Sequence, residues 1–322
     1  MKKSIRIKSL FCFSIMFLVS SSLVAVPGIE LYFGATVIDG RAGEDRAFTK
    51  DLEDGYKLYV VLDGHGGKDC ACKVEEIFHK NLVDSKNFPE NISLALRDAF
   101  WKTDQDLEGV EKEVELRGKT VKKPAFNDCG TTASVAVVAP DGKVTIAHVG
   151  DSRVMISIGD EVIFQTEDHK PSEVKERQRI QEADGFVFRG RVSGILSVSR
   201  SLGDFYAKPK FEGEEGRRYW VTPDPDVYPR QFEGSDDEFM VIASDGLWDM
   251  MDCKKGEGED SKPGVMEFVQ ERLAEGKSAQ EISKALAGEA RRLWEGKHPG
   301  RPDRIDDITV LVVIPKKVET AE

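Results

Sequence analysis

The chain has 322 residues, of which 40% are hydrophobic and 32% are charged, so it is long enough to bury a core and has an ordinary globular composition. Its formal net charge of −12 gives no support to nucleic-acid binding, and we expect no nucleic-acid partner. Negative charge that is gathered in one place would instead require metal ions to neutralise it.

The N-terminal segment differs in composition from the rest of the chain. Four basic residues and no acidic one stand in residues 1–9, and the apolar run LFCFSIMFLVSSSLVAV follows. This order is typical of a secretory signal peptide, which we assign to residues 1–25, so the protein is expected to be secreted or periplasmic. An uncleaved membrane anchor is the alternative, although the run is short and interrupted by serines. Membrane contact is expected only in that case.

Beyond this leader, short segments rich in valine, isoleucine and threonine are interspersed with amphipathic ones. The first kind predicts β-strands at 31–38, 57–63, 132–139, 143–151, 153–158, 161–165, 238–245 and 307–315. The second kind predicts helices at 66–83, 91–108, 172–183, 263–275 and 278–295, with Ser172 and Ser278 as N-caps. Turn signals between strands predict antiparallel hairpins, and hence one α+β domain over 27–317. A long polar loop at 205–223 is typical of a functional flap.

Acidic residues recur where the predicted strands begin or end. They are Glu44, Asp45, Asp63, Asp151, Asp245, Asp249, Asp306 and Asp307. Because one strand of an antiparallel sheet ends beside the start of its neighbour, these side chains can converge on one rim. Converging carboxylates require cations, and ligands that are all oxygen favour Mg²⁺ or Mn²⁺. Taken singly, each acid also fits an ordinary turn, but turns do not explain the recurrence.

Nine short motifs follow one another along the chain. They are EDR, LDGHGG, GTTASV, VGDSR, EDHKP, RVSGILSVSRSLGD, TPDPDV, ASDGLWDMM and DDIT. In order and rough spacing they resemble the metal-dependent Ser/Thr protein phosphatases of the type 2C class (the PPM family), over residues 34–315. The resemblance implies an α+β fold, a four-layer αββα sandwich in which two antiparallel β-sheets are flanked by helices, with a dinuclear metal site at one end.

The resemblance also implies which residues hold the two metal ions. Asp63 is expected to bridge them. Glu44 and the carbonyl of Gly64 are expected to bind one ion, and Asp245 and Asp306 the other. Two ions that share a carboxylate are suited to hydrolysing a phosphate ester.

Three further acids are expected around the two ions. Asp45 would hold metal-bound water, while Asp151 and Asp249 resemble the weaker third-metal position of some family members. The expected cofactors are therefore Mn²⁺ or Mg²⁺, two ions per site, with a weaker third position beside them.

Two basic residues are expected to act on the phosphate. His65 stands where the family keeps a general acid for the leaving alkoxide. Members usually place an arginine four residues before the metal-binding glutamate, but here Gly40 takes that position and Arg41 follows it. A shift by one residue on a strand turns the side chain to the opposite face, so we expect a bulge that returns Arg41 to the site. Arg217 and Arg218 in the predicted flap are the alternative phosphate anchor.

The expected function is that of a protein serine/threonine phosphatase, acting on a phosphorylated protein substrate by attack of a metal-bridging water. A catalytically inactive relative that binds phosphoproteins is the alternative. Such a relative should lack at least one metal ligand, and all of them are present here. Nothing in the sequence sets the physiological substrate or the oligomeric state. The cysteines beyond the leader match no zinc or disulfide pattern, and we expect free thiols at Cys70, Cys72, Cys129 and Cys253.

The signal peptide makes a prediction about the mature N-terminus. If cleavage follows Ala25, protein recovered from outside the cytoplasm should begin near Val26. N-terminal sequencing of that material is the measurement. Soluble cytoplasmic protein that retains Met1 would contradict the assignment.

Overall fold

The computed structural model describes residues 29–116, 119–209, 219–254 and 262–317. The predicted signal peptide and the arginines at positions 217 and 218 lie outside these residues. Within them, we find no helix with the length and apolar character needed to cross a membrane.

Most of the regular structure lies in short strands. These are β1 (Ile29–Ile38), β2 (Arg46–Asp51), β3 (Lys57–Leu62), β4 (Gly64–His65), β5 (Glu111–Leu116), β6 (Lys119–Pro124), β7 (Gly130–Thr131), β8 (Ala133–Val138), β9 (Lys143–Val149), β10 (Arg153–Ile158), β11 (Glu161–Gln165), β12 (Val187–Phe188), β13 (Arg191–Val192), β14 (Leu202–Gly203), β15 (Asp226–Gln231), β16 (Glu238–Ala243) and β17 (Ile308–Lys317). The α-helices are α1 (Asp69–Val83), α2 (Ile92–Glu108), α3 (Val174–Glu182), α4 (Asp245–Trp248), α5 (Val265–Ala274) and α6 (Ala279–Lys297). Short 3₁₀ turns occur at Glu53–Gly55, Phe205–Ala207 and Pro302–Arg304.

Two five-stranded sheets dominate the architecture. The first has the strand order β1-β17-β16-β10-β11 and the second has the order β15-β9-β8-β3-β2. Every neighbouring pair in both sheets is antiparallel. In the first sheet the first and last long strands of the chain pair along their whole length, from Ile29 opposite Lys317 to Ile38 opposite Ile308. The two ends of the described chain therefore lie side by side.

The sequence of β3 shows why its sheet is buried on both faces. Successive side chains of a strand point to opposite faces. Leu58, Val60 and Leu62 pack in one cluster with the inner faces of α1 and α2. Tyr59 and Val61 pack in another cluster, which also contains residues of the first sheet. A strand with no polar face fits this middle position.

The same alternation places the first sheet against the remaining helices. Phe239 and Val241 of β16 pack with α5 and α6, while Met240 and Ile242 face the second sheet. The layers are therefore α1 and α2, the second sheet, the first sheet, and α5 with α6. The predicted α+β sandwich of four layers is confirmed.

Of the two N-cap residues predicted for helices, Ser278 is confirmed and Ser172 is wrong. Ser278 caps α6 in a capping box, in which its hydroxyl accepts from the Glu281 N–H and the Glu281 carboxylate accepts from the Ser278 N–H. The predicted cap Ser172 makes no such bond, because α3 begins two residues later. The N–H of Glu173 donates to the Lys170 carbonyl at 3.0 Å. That turn places Ser172 ahead of the helix.

Strands β2 and β15 were missed from the sequence, and both lie at edges of the second sheet. Edge strands tolerate charge and proline because one side of the strand has no ladder partner. β2 has the sequence RAFTKD and β15 has the sequence DVYPRQ, so neither shows a continuous apolar pattern.

The four cysteines expected to be free are free thiols in the structure. Cys70, Cys129 and Cys253 are buried, and Cys72 is half-buried. They contribute to packing and leave the sheets without covalent cross-links.

Close packing of α6 on β1 gives a test of the fold. A Cβ atom on Gly34 would lie 2.3 Å from the Cα of Gln280, whereas one on Gly288 would meet nothing within 4 Å. We expect Gly34→Ala to lower the free energy of unfolding by about 2 kcal/mol through overpacking. The control Gly288→Ala changes a glycine within α6 itself and should raise the free energy of unfolding by about 0.5 kcal/mol. Urea unfolding measures both, and equal stabilities would contradict the packing described.

Candidate active site

Six of the eight acids that the sequence places at strand ends meet in one cavity of about 600 Å³. Its lining includes the predicted site residues Arg41, Glu44, Asp63, Gly64, His65, Asp151, Asp245 and Asp306. Two of the predicted residues are placed differently. Asp45 is buried and Asp249 is exposed, and neither lines the cavity. Both still act on its electrostatics.

Three carboxylates form the centre of the cavity. Asp63, Asp151 and Asp245 each offer an oxygen, and these oxygens lie within 4.8 Å of one another. Burial raises the pKa of Asp63 well above its ordinary value, and neighbouring carboxylates raise it further. The pKa of Asp245 is raised for the same two reasons, with Asp151 as the main neighbour. Such a cluster is stable in its ionised form only when a cation neutralises it.

Asp45 supports this centre from a buried position. Its Oδ2 atom has no hydrogen-bond partner among the described residues. Burial raises the pKa of Asp45 to about 7, against the opposing effect of the Thr309 and Ser244 hydroxyls, and the charges of Asp307 and Asp306 add to the rise. An unpartnered carboxylate oxygen behind a group of acids is well placed to accept a hydrogen bond from a hydrated cation.

The glycines after Asp63 let two loops meet. Gly66 and Gly67 have φ values of 71° and 118°, which a side chain would strain. The Gly67 N–H donates to Glu44 Oε1 at 2.7 Å. A Cβ on Gly64 would lie 2.6 Å from the Glu44 carbonyl oxygen. The turn at these glycines is therefore what brings Glu44 against the Gly64 backbone.

Two threonines hold the backbone of Asp63. Its N–H donates to Thr132 Oγ1 at 3.1 Å, and its carbonyl accepts from the Thr132 N–H at 2.9 Å. The same carbonyl accepts from Thr131 Oγ1 at 3.1 Å. From the sequence, these threonines were interpreted only as the start of a strand. Their adjacency in GTTAS gave no sign of a partner 69 residues away.

Asp307 holds the loop that carries Glu44. Its Oδ1 accepts from the N–H groups of Gly40 at 2.6 Å and Gly43 at 3.0 Å, and its Oδ2 accepts from that of Glu44 at 2.6 Å. Asp307 was noticed in the sequence as an acid at a strand opening but was given no role. Its role in the structure is to fix a loop.

The predicted bulge at Arg41 is absent, because residues 39–45 leave the sheet as an irregular loop between β1 and β2. The strand-face argument therefore does not apply. Arg41 lines the cavity, and its N–H donates to the Ile305 carbonyl at 2.9 Å. A glycine is required at position 40 because a Cβ atom there would lie 2.1 Å from the Asp306 carbonyl oxygen.

His65 has a buried acidic partner that was missed from the sequence. Its Nε2 lies 2.7 Å from Oδ2 of Asp204, which also accepts from Ser201 Oγ at 2.6 Å. Burial alone would lower the pKa of His65, but the charge of Asp204 outweighs it and raises the pKa. Asp204 is the last residue of the SRSLGD motif and has a φ of 53°. The Gly-Asp ending of this motif was the sequence feature that could have pointed to Asp204.

Asp151 has a cationic partner from the chain itself. Lys170 Nζ forms an ion pair with Asp151 Oδ2. Burial lowers the pKa of Lys170, but Asp151 outweighs this effect and raises it. Lys170 belongs to the motif EDHKP, which was recognised without a role for the lysine. One acid of the predicted third-metal position is thus already paired.

A second group of ligand-type atoms does not suit a metal. Atoms of His148, His169 and Asp226 also lie within 4.8 Å of one another. The Gly150 N–H donates to His169 Nδ1 at 3.1 Å, so the proton of that ring is on Nε2, which faces Asp226 Oδ2 at 3.3 Å. A protonated nitrogen cannot bind a cation. His169 therefore has a structural role, as a hydrogen-bonding residue between Gly150 and Asp226.

Comparison with known proteins identifies similar chains. The sequence model described as "Protein phosphatase 2C" matches residues 36–293. "Probable protein phosphatase 2C 59" of Arabidopsis thaliana is 34% identical over 234 residues, which are 70% of this chain and 68% of the relative. The human "Probable protein phosphatase 1N" is 38% identical over 231 residues, which are 68% of this chain and 50% of the relative. The chain thus spans between half and about two thirds of these two relatives.

A solved structure supports the same fold. The serine-threonine phosphatase 2C from Toxoplasma gondii superposes with a TM-score of 0.65 at 20% identity. The alignment covers 91% of this chain and 97% of that one. At this identity the likeness concerns the fold alone.

The raised pKa of Asp45 predicts how pH affects the metal-free protein. Its folded pKa of about 7 lies above the unfolded value of about 3.9. Between these values the folded state holds a proton that the unfolded chain lacks, so stability falls as pH rises. From about pH 5 to about pH 8, the free energy of unfolding in EDTA should fall by on the order of 2 kcal/mol more in the wild type than in Asp45→Asn. Urea unfolding measures it, and parallel pH profiles would contradict it.

Proposed function

Because this chain belongs to the protein phosphatase 2C family, we propose that it is a metal-dependent phosphatase that hydrolyses phosphoserine and phosphothreonine monoesters in proteins. The observation that carries the proposal is the convergence of Asp63, Asp151 and Asp245 in the cavity that His65 and Arg41 also line. No feature of the site favours an inactive binding protein, since each proposed ligand is present.

The donor atoms of the cavity fit hard divalent cations. The proposed ligand atoms are carboxylate or carbonyl oxygens, the ligands that Mg²⁺ and Mn²⁺ prefer. Asp63, Glu44, Asp245, Asp306 and the Gly64 carbonyl would hold two such ions. When bound, such ions supply a water of lowered pKa and neutralise phosphate charge. Because Lys170 already forms an ion pair with Asp151, a third ion at that acid would be held more weakly.

His65 is proposed to donate a proton to the leaving alkoxide of serine or threonine. The carboxylate of Asp204 holds the ring through Nε2 and favours the positively charged imidazolium, which is the form that can donate a proton. A serine or threonine alkoxide is a poor leaving group, so this proton matters more for a phosphoprotein than for an activated aryl phosphate.

Arg41 is proposed to bind the phosphate. A phosphate dianion is repelled by a cavity lined with carboxylates, and a guanidinium can offset this by donating two hydrogen bonds. Arg41 lines the cavity from the loop that also carries Glu44. Arg217 and Arg218 remain the alternative anchor.

Substitution of the bridging acid tests the function. We expect Asp63→Asn to lower turnover of a phosphothreonine peptide about 100-fold or more in the presence of Mn²⁺, and Asp245→Asn to lower it nearly as far. The control is Asp160→Asn, which changes an exposed acid in the turn between β10 and β11 and should leave the rate unchanged. Steady-state kinetics on folded protein is the measurement. Retention of more than about a tenth of the rate by Asp63→Asn would refute the assignment.

Substitution of Arg41 tests the phosphate anchor. Arg41→Ala should raise KM for the phosphopeptide at least about fivefold, because a charged hydrogen-bond partner of the substrate is lost. The Mn²⁺ concentration that gives half-maximal activity should not change. If KM is unaffected and Arg217→Ala/Arg218→Ala raises it, the anchor lies in the segment that carries those two arginines.

A further inference from the structure

A short hairpin beside the cavity exposes large apolar side chains. The exposed fractions of Phe186, Phe188 and Ile195 are 57%, 56% and 62%. Only Val174 is more exposed among the large apolar residues of the described chain. Three such residues within ten positions form a patch, which differs from the single exposed apolar residues that are common on protein surfaces.

The hairpin places Phe188 on the face that Arg191 shares. Phe188 of β12 is directly opposite Arg191 of β13, so the two side chains lie on the same face. Phe186 immediately precedes β12 and is also exposed. The intervening Val187 is paired with Val192, and both pack inward against Ile180 and its neighbours. The inward face therefore anchors the hairpin and the outward face carries the phenylalanines.

This outward face continues into the cavity. Arg191 and Ile195 line the cavity together with Asp63 and His65. A polypeptide whose phosphorylated side chain enters the cavity must pass over Arg191 or Ile195 if it approaches from this side. Its neighbouring residues would then lie on Phe186 and Phe188.

The hairpin is fixed in shape before any ligand binds. The Ser193 N–H donates to the Phe186 carbonyl at 2.9 Å, and the Arg191 guanidinium donates to the Ile195 carbonyl at 2.7 Å. A Cβ on Gly185 would lie 2.8 Å from the Trp220 ring, which shows how closely the base of the hairpin packs. A surface that is already ordered loses little conformational entropy on binding.

We propose that the outward face of this hairpin, formed by Phe186, Phe188 and Ile195, binds a large apolar side chain near the phosphorylated residue of the substrate. The inference rests on the proposed phosphatase function and adds a sequence preference to it. The apolar patch would exclude water from an aliphatic or aromatic residue, which is a favourable contact that a charged or small residue does not make. The occupant is a segment of the phosphoprotein substrate.

Matched peptides test the preference. One set carries phosphothreonine in an alanine and serine background, with a single leucine moved through each neighbouring position. For the wild-type protein with Mn²⁺, we expect leucine in at least one position to lower KM about fivefold or more relative to the alanine peptide. The variant Phe186→Ser/Phe188→Ser should remove that difference. Hydrolysis of p-nitrophenyl phosphate, which has no flanking residues, should be unchanged in the same variant.

A matched control and a second variant complete the test. Leu94→Ser changes an apolar residue of α2 that is 46% exposed and does not line the cavity, and it should keep the wild-type preference. Ile195→Ser probes the same patch from its other side and should also weaken the preference, which keeps the test valid if the double variant does not fold.

Three results would overturn the proposal. In the first, wild-type protein hydrolyses all the peptides with the same KM. In the second, the preference survives in both patch variants. In the third, sedimentation shows that the wild-type protein is a dimer and the patch variants are monomers, and no peptide is preferred. That result would assign the patch to a second copy of the chain. Failure of the wild type on every substrate, p-nitrophenyl phosphate included, would refute the phosphatase function itself and this inference with it.

Discussion

Repulsion between carboxylates is the constraint on which the rest of this structure depends. Asp63, Asp151 and Asp245 bring oxygens within 4.8 Å of one another in a partly buried cavity, and Asp45 adds a fourth buried acid behind them. Gathering ionised groups in this way is unfavourable, so the surrounding fold must supply the free energy. It does so with two sheets whose middle strands are buried on both faces and with helices packed outside them. The same repulsion gives the cavity its affinity for cations.

The scaffold restrains this site mainly through hydrogen bonds to the backbone of its residues. Thr132 and Thr131 bind the main chain of Asp63, and the carboxylate of Asp307 binds three N–H groups of the loop that carries Glu44. This arrangement fixes the positions of the proposed metal ligands while leaving most of their carboxylate oxygens available. Among these acids, and within the part of the chain that the structure describes, Asp151 is the one that forms an ion pair with a side chain, that of Lys170. Backbone restraint of this kind is what a preorganised site requires.

The sequence predicted several features that depend on nearby residues and missed some that depend on distant ones. The apolar strand β3 and the cap at Ser278 are local and were predicted, whereas the local cap at Ser172 was wrong. The partner of His65 is Asp204, which is 139 positions away, and no pattern within either motif joins the two. The acids were predicted to converge because strand ends share a rim, which is a property of the whole sheet. The bulge at Arg41 was wrong because it assumed a strand where the chain forms a loop.

The pairing of β1 with β17 has a consequence for the order of events during synthesis. Asp307 is 267 positions from Gly40, so the loop bearing Glu44 leaves the ribosome long before the side chain that fixes it exists. β17 must then insert between β1 and β16 to complete the first sheet. Contacts of such sequence separation form late, because a long loop has to close first. A nascent chain therefore carries most of its acids without a formed site, and a chain that stops short of β17 never acquires one. Synthesis as far as β17 is in this way a condition for forming the site.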